Sequence, residues 1–314
     1  MKDRRTENIF LSIIVPAFNE EGNIEAVAEQ IKQQAEQFRK YEIIFINDGS
    51  TDATAEKLRM LHRSNPNIQF ISFSRNFGHQ SALLAGIHHA SGDCIISMDA
   101  DLQHPTAMIP QLVSKWQEGF DIVTTIRDDS QNTSWFKRST SSVFYKLMNR
   151  LSNITLEEGA ADFRLIDRSV AQVISNSREY NLFLRGYIAW LGYKQCMVPY
   201  IPHQRQSGKT KYSFGKMMML AINGITSFSV KPLRVAMILG TAISLLAFIY
   251  AIYAIYVYLE TNEAVPGWTS VLVSILFIGG LQLLILGIIG EYLGRTLMQT
   301  KQRPDYVIME KSLQ

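Results

Sequence analysis

From Phe10 to Arg127, short apolar runs alternate with stretches whose apolar residues recur at helical spacing. The runs "FLSIIVPAF", "YEIIFIND", "IQFISFSR", "CIISMDAD" and "FDIVTTIR" have the length and β-branched content of buried strands. Between them, Glu20 to Phe38, "STDATAEKLRML" and Gln80 to His89 read as helices, with Ser50 or Thr51 placed to cap the second. This alternation predicts an α/β domain with a doubly wound, mostly parallel sheet, whose ligands bind at the carboxyl ends of its strands.

The pattern changes in the last third of the chain. Val235 to Leu259 and Trp268 to Ile289 are continuous apolar runs separated by "ETNEAVPG", each long enough as a helix to cross a hydrocarbon core of ~30 Å. A buried hairpin in a soluble core is the alternative, but core helices rarely run so far without a charge. Lys231 and Arg234 precede the first run and Arg295, Lys301 and Arg303 follow the second, while the loop carries Glu260 and Glu263 and no Lys or Arg. The positive-inside rule then puts both outer flanks, and the α/β domain with them, in the cytoplasm. Tyr250, Tyr253, Tyr256, Tyr258 and Trp268 gather toward the loop as an interfacial aromatic belt would. The chain divides into a cytoplasmic α/β domain (1–212), a juxtamembrane amphipathic segment (213–232), a two-helix transmembrane hairpin (233–295) and a cytoplasmic tail (296–314). The amphipathic segment, "YSFGKMMMLAINGITSF", carries Phe214, Met218, Ile222 and Ile225 on one side and Lys216 and Asn223 on another, and reads as an interfacial helix. The apolar run after "MKDRRTENIF" is short and broken by Pro16, which fits a first strand better than a secretory leader.

Charge sharpens this division. Met1 to Glu179 holds 19 Lys and Arg against 23 Asp and Glu, whereas Tyr180 to Leu259 holds eight Lys and Arg and no acid. The basic surplus is local and lies against the apolar tail, so it points to a membrane surface or an anionic ligand; no nucleic-acid partner is expected. The two cysteines, Cys94 and Cys196, are far apart and in no metal or redox spacing, as in a reducing compartment.

The polar clusters "PAFNEE", "NDGSTD", "SRNFGHQ" and "DADLQHP" follow four successive strands, which collects them on one edge of the sheet. Asp48 at a strand end can accept from an imide N–H such as that of uracil, and the turn at Gly49 admits close backbone approach; a simple capped turn is the plainer reading of "DGS". Asp99 and Asp101, alternate residues of an extended segment, share a face. Two hard oxygen donors suit Mg²⁺ or Mn²⁺, completed by water and substrate phosphates. A calcium loop starting at Asp99 would need glycine where His104 stands.

"SIIVPAFNEEGNI", "INDGSTDAT", "SRNFGHQSALLAGIHHASGD", "MDADLQHP", "GAADFRLIDR" and "RQSGKTKYSF", followed by two spans, resemble the family-two glycosyltransferases. The similarity is greatest to the polyprenyl-phosphate branch, which includes dolichol-phosphate mannose synthases and bacterial bactoprenol glucosyltransferases, and it runs from about Leu11 to Pro304. The resemblance implies a type A, Rossmann-like fold, followed by interfacial helices and two transmembrane helices. It implies a metal on Asp99 and Asp101 with Gln103 adjacent, a nucleoside held by Pro16, Phe18, Glu20 and Asp48, and Asp162 in the acceptor region. It further implies a homo-oligomer in the cytoplasmic (inner) membrane of a bacterium, making a lipid-linked monosaccharide for cell-envelope glycans.

Under that resemblance the remaining basic residues acquire roles. Arg205, Lys209 and Lys211 of "RQSGKTKY" can close over the donor diphosphate, or form a basic stripe on the bilayer; His203 is a further ligand only if it is more than a surface residue. Arg127, and Arg138 with Ser142 at the start of a helix in "WFKRSTSSVFYKLMNRL", can bind the acceptor phosphate. A lipid phosphate monoester is mostly ionised at neutral pH, its second pKa being ~6, so Asp162 need not remove a proton. It is expected to orient the acceptor, with Arg164 as its ion-pair or phosphate partner. The expected reaction is inverting transfer of a hexose from a UDP-sugar to undecaprenyl phosphate, glucose being the first choice and N-acetylglucosamine the second. The alternatives are a processive polysaccharide synthase, disfavoured by only two spans and no Gln-x-x-Arg-Trp motif, and a catalytically idle sugar-nucleotide-binding subunit.

Overall fold

The structure is a computed structural model, and it describes residues 8–127, 149, 157, 159–180, 182–202, 224–261 and 267–313. Strands β1 (Phe10–Ala17), β2 (Lys40–Asn47), β3 (Ile68–Phe73) and β4 (Cys94–Ser97) alternate with helices α1 (Ile24–Ala35), α2 (Thr54–Ser64) and α3 (His79–His89). α4 (Ile109–Gln117) and β5 (Ile122–Arg127) follow, then β6 (Ala160–Asp167), α5 (Arg168–Ser175), α6 (Leu184–Trp190) and β7 (Gln195–Tyr200). The chain ends in two long helices, α7 (Lys231–Thr261) and α8 (Trp268–Thr300), and a last strand, β8 (Ile308–Lys311).

All eight strands form one sheet in the order β7-β5-β6-β4-β1-β2-β3-β8. β1, β2, β3 and β4 pair in parallel, as does β5 with β7, while β6 runs antiparallel between β4 and β5, and β8 antiparallel to β3. The parallel half is the part that the apolar pattern predicts; β6, β7 and β8 carry no such pattern and are seen only in the structure. Both faces of the sheet are covered, because alternate strand residues point to opposite sides. Leu11, Ile13, Val15, Ile43, Phe45 and Ile96 join one core with Val27, Ile31 and Trp116, while Ile14, Ile44, Ile46 and Ile95 join another with α3 and α5. α3 can lie close on that second face because Gly86 has no side chain; a Cβ there would sit 2.9 Å from Cβ of Ile14.

Three boundaries depart from the sequence reading. α1 begins at Ile24, because Glu20 to Asn23 form a turn in which the Glu20 carbonyl accepts from the N–H groups of Asn23 and Ile24. α2 is not capped by Ser50 or Thr51. Those residues bond Asn19 instead, and the Asp52 carboxylate accepts from the Thr54 N–H at 3.0 Å. β4 stops at Ser97, so Asp99 and Asp101 lie in the turn beyond it; they still share the outer side, since the flanking Met98 and Ala100 are buried.

α7 and α8 are long and apolar enough to cross a membrane, with stretches of 27 and 31 residues at mean hydropathy 2.3 and 2.6. Only 6% of the most apolar window of α7 and none of that of α8 is buried, which excludes the buried core hairpin and leaves a membrane-associated one. The segment read as a tail returns to the sheet. β8 pairs with β3, Tyr306 stacks on Phe73 with ring centres 5.0 Å apart, and Arg59 forks onto Glu310 at 2.7 to 3.1 Å.

Candidate active site

The carboxyl ends of β1 and β2 are joined by short polar bonds. Asn19, at φ 56°, donates its N–H to the Ser50 hydroxyl and accepts from the Thr51 N–H at 2.9 Å, while Glu21 accepts from Ala53. Pro16 is buried within β1, Phe18 is 36% exposed at its end, and Glu20 accepts from the Asn23 side chain at 2.6 Å. Asp48 is only 3% exposed. It accepts from the N–H groups of Phe77 at 2.7 Å and Gly78 at 3.0 Å, which draws the "SRNFG" loop against the end of β2. Gly49 allows that approach, since at φ 66° a Cβ would fall 2.3 Å from the Arg75 carbonyl carbon. Burial pushes the Asp48 carboxyl up, against the two N–H groups and the charges of His79 and Arg75. These bonds add an anchoring role to the residue proposed to read the nucleoside.

The same anchoring delivers His79, the first residue of α3, between two carboxylates. Its Nε2 lies 3.5 Å from Asp99 and 3.5 Å from Asp162. Burial would lower the imidazole, yet Asp162 and Asp99 together hold it above its ordinary value. On the far side of Asp99 stands His104, stacked on Phe163 with ring centres 5.1 Å apart. Its Nδ1 accepts from the Asp99 N–H at 3.1 Å, so a neutral ring carries its proton on Nε2, 3.9 Å from the Asp99 carboxylate. Asp101 accepts from the Gln103 N–H at 3.1 Å and side-chain amide at 2.5 Å, and the Gln103 oxygen in turn accepts from Arg127 at 3.3 Å.

Asp162 occupies the middle of the arrangement. It sits on β6 beside β4, where the Ser97 hydroxyl donates to its carbonyl at 2.5 Å. Arg164, two residues along and on the same face, donates to one carboxylate oxygen at 2.9 Å. Arg185, from α6, forks onto both oxygens at 2.8 and 2.7 Å. Asp162 and Arg164 are 7% and 5% exposed. Burial alone would raise the carboxyl; Arg185, His79 and Arg164 outweigh it and hold Asp162 well below the usual carboxylate range. Such a group stays ionised and is a poor proton acceptor at neutral pH.

No group of three His, Cys, Asp or Glu able to hold a metal occurs among the described residues. Asp99 and Asp101 offer hard oxygens at the edge of the sheet, so they fit a divalent cation whose shell is completed by substrate phosphate and water, and do not fit a cage made by protein alone. Among the residues named from sequence, Asp99 and Asp162 meet through His79, and Asp101, Gln103 and Arg127 form a chain. Arg138, Ser142, His203, Arg205, Lys209 and Lys211 lie outside the described residues. Sequence reasoning missed His79, His104 and Arg185. His79 stands in a cluster already assigned to this edge, whereas nothing near Arg185 in the chain points to Asp162.

An α/β sheet that gathers acidic and cationic side chains on one edge, joined to an apolar helical hairpin, defines a membrane-associated glycosyltransferase of the type A fold. Residues 12–174 match glycosyl transferase family 2, and residues 231–296 match the GtrB C-terminal hairpin. The chain belongs to glycosyl transferase family 2. It is 44% identical over 300 residues to a prophage bactoprenol glucosyl transferase homolog of Escherichia coli K12, covering 95% of this chain and 98% of that one. It is 43% identical to the bactoprenol glucosyl transferase of Shigella phage SfV, covering 95% and 97%. An uncharacterized glycosyltransferase of Bacillus subtilis, YkcC, is 40% identical over 97% and 95%. A mannosyltransferase of Pyrobaculum calidifontis, solved in complex with GDP-Man and Mn²⁺, shares the fold at 16% identity and a TM-score of 0.50, over 96% of this chain and 87% of that one.

Proposed function

We propose that this enzyme transfers glucose from UDP-glucose to undecaprenyl phosphate with inversion at the anomeric carbon. The bactoprenol glucosyl transferases among its relatives support the sugar and the lipid carrier. The observation that carries the mechanism is Asp162, buried and clamped by two guanidinium groups. A sugar hydroxyl acceptor would need a base to remove its proton, but a phosphate monoester, with its second pKa at ~6, arrives already ionised. A site whose central carboxylate is a poor base suits the second kind of acceptor.

In the reaction, an acceptor phosphate oxygen attacks the anomeric carbon as the bond to the β-phosphate of UDP breaks, and UDP leaves. Asp162 orients Arg164 and, through it, the acceptor end of the site. Arg127 contributes a cation to the acceptor phosphate, and Pro16, Phe18, Glu20 and Asp48 line the nucleoside side. Asp99 and Asp101 would hold Mg²⁺ or Mn²⁺, which supplies positive charge against the departing diphosphate. The return of β8 to the sheet after α8 supports a hairpin with both outer ends on the side of the catalytic domain, in agreement with the cytoplasmic placement read from charge.

Incubation of the membrane-embedded enzyme with labelled UDP-glucose, divalent metal and undecaprenyl phosphate should give an organic-soluble, single-sugar lipid. UDP-N-acetylglucosamine in the same assay tests the sugar. Long polymer, or no product with any donor, would overturn the reading.

A further inference from the structure

Arg185 is the least expected member of the site. It comes from α6, a seven-residue helix near the start of the chain segment that carries no acid, and it is the only side chain described that grips both oxygens of Asp162. Arg164 is fixed by its own strand and donates also to the Ala161 carbonyl at 2.9 Å. The position of Arg185 depends instead on how α6 is seated. Leu184, Tyr187 and Ile188 are buried in the core cluster that contains α3. The Leu184 N–H donates to the Gln80 side chain at 3.2 Å, one residue from His79. Just before α6, the Tyr180 N–H donates to the side chain of Gln299 at 2.5 Å, and the Gln299 amide donates to the Arg178 carbonyl. Gln299 belongs to the last turn of α8. Phe183 meets Phe228, just before α7, edge to face with ring centres 6.3 Å apart. The lead-in to Arg185 is therefore held at both roots of the apolar hairpin.

We propose that Arg185 is a positioning residue for the transfer: its two-point grip fixes the Asp162 carboxylate, and the hairpin roots, through Gln299 and Phe228, fix the grip. A lysine cannot replace it, because an ammonium group offers a point charge where two parallel bonds set both the place and the plane of the carboxylate. Misplacing a group at the reacting centre by about 1 Å costs on the order of 100-fold in rate. The same linkage makes the acceptor end of the site sensitive to the seating of the hairpin in its bilayer. The inference rests on the proposed transfer to a lipid phosphate.

The test uses the full chain in lipid nanodiscs with UDP-glucose, Mg²⁺ and undecaprenyl phosphate, comparing wild type with Arg185→Ala, Arg185→Lys and Gln299→Ala. Arg185→Ala should lower kcat at saturating substrates by roughly 100-fold with the KM for UDP-glucose nearly unchanged, and low-millimolar guanidinium should restore part of the loss without stimulating wild type. Arg185→Lys, which keeps the charge, should still lose about 10-fold. Gln299→Ala should lose several-fold, with guanidinium giving no rescue because the fork is present but displaced. Wild-type kcat in Arg185→Ala, a loss that guanidinium does not restore, or a lysine variant with full turnover would overturn the inference while leaving the transfer reaction standing. A wild-type enzyme that makes no lipid-linked sugar would overturn both.

Discussion

Asp48 and Asp162 are both buried, at 3% and 7% exposure, yet their surroundings push their carboxyls in opposite directions. Asp48 ends a strand in the parallel half of the sheet and is met by two backbone N–H groups, which do not fully offset its burial. Asp162 lies on the antiparallel strand β6 and is met by two guanidinium groups and a histidine, which do. The proposed donor side is thus built from backbone at the ends of successive strands, and the proposed acceptor side from charged side chains brought together across the chain. The first kind of site needs only the right turn at the right strand end. The second needs the whole tertiary structure to be in place, and it is the side that meets the membrane hairpin.

The largest effect should come from removing the charge at the centre. Asp162→Asn leaves two guanidinium groups, one of them buried, facing a neutral amide, which should lower transfer by roughly 100- to 1000-fold and stability by about 3–5 kcal/mol. The acidic limb of the pH–rate profile, set by the lipid phosphate near ~6, should survive in the mutant's residual rate; its disappearance would make Asp162 the base. Because its folded pKa is lowered, the stability gained from Asp162 should be complete above the ordinary carboxylate pKa of 3.8 and be lost as the pH falls through the folded value. Urea unfolding of wild type and mutant from neutral pH down to about pH 2 measures that difference.

On the proposed donor side, Asp101→Asn should lower turnover by about 100-fold, and EDTA should abolish an activity that Mg²⁺ or Mn²⁺ restores. Full turnover in EDTA would remove the metal from the mechanism. A milder change is expected at Asp48. An asparagine keeps one acceptor oxygen and loses the other, at a cost of about 1 kcal/mol near neutral pH. Here the sign is reversed. With the folded pKa raised, the advantage of wild type over Asp48→Asn should be greatest below 3.8 and shrink as the pH rises through the folded value. If both aspartates gave the same slope, the contrast between the two halves would fail.

This contrast also explains what could be read in the sequence. β1 to β4 announce themselves because each is a buried apolar run ending in polar residues, and parallel pairing of neighbours collects those ends without any knowledge of long-range contacts. The position of Asp48, Asp99 and Asp101 at that edge was legible for that reason. Arg185 was not, since only the seating of α6 brings it to Asp162, and no local pattern encodes that. β6 does not announce itself as a strand, because its charged residues, Asp162, Arg164 and Asp167, interrupt the apolar run and are paired internally or capped onto α5 only in the folded chain. β8 is four residues with every second side chain exposed, which in sequence is indistinguishable from a tail.

The smallest effect concerns that last strand and separates charge from packing as the agent that returns it to the sheet. Arg59 and Glu310 make three contacts within 3.1 Å, but their side chains remain 40% and 35% exposed, so water screens the pair. Other bonds hold the strand without it. Tyr306 stacks on Phe73 and its hydroxyl meets His88 Nδ1 at 2.9 Å, the Ser312 N–H donates to the Phe70 carbonyl, and the Ser74 N–H donates to that of Val307. Burial and Asp305 push the Tyr306 hydroxyl up to about 12, so it keeps its proton at neutral pH. A double-mutant cycle of Arg59→Ala with Glu310→Ala should therefore give a coupling of only about 0.2–1 kcal/mol. The amides of Ser74 and Ser312 should stay protected from hydrogen exchange in Arg59→Ala. Loss of protection at both would mean that the exposed ion pair, and not the ring stack and the ladder, brings β8 back to the parallel half of the sheet.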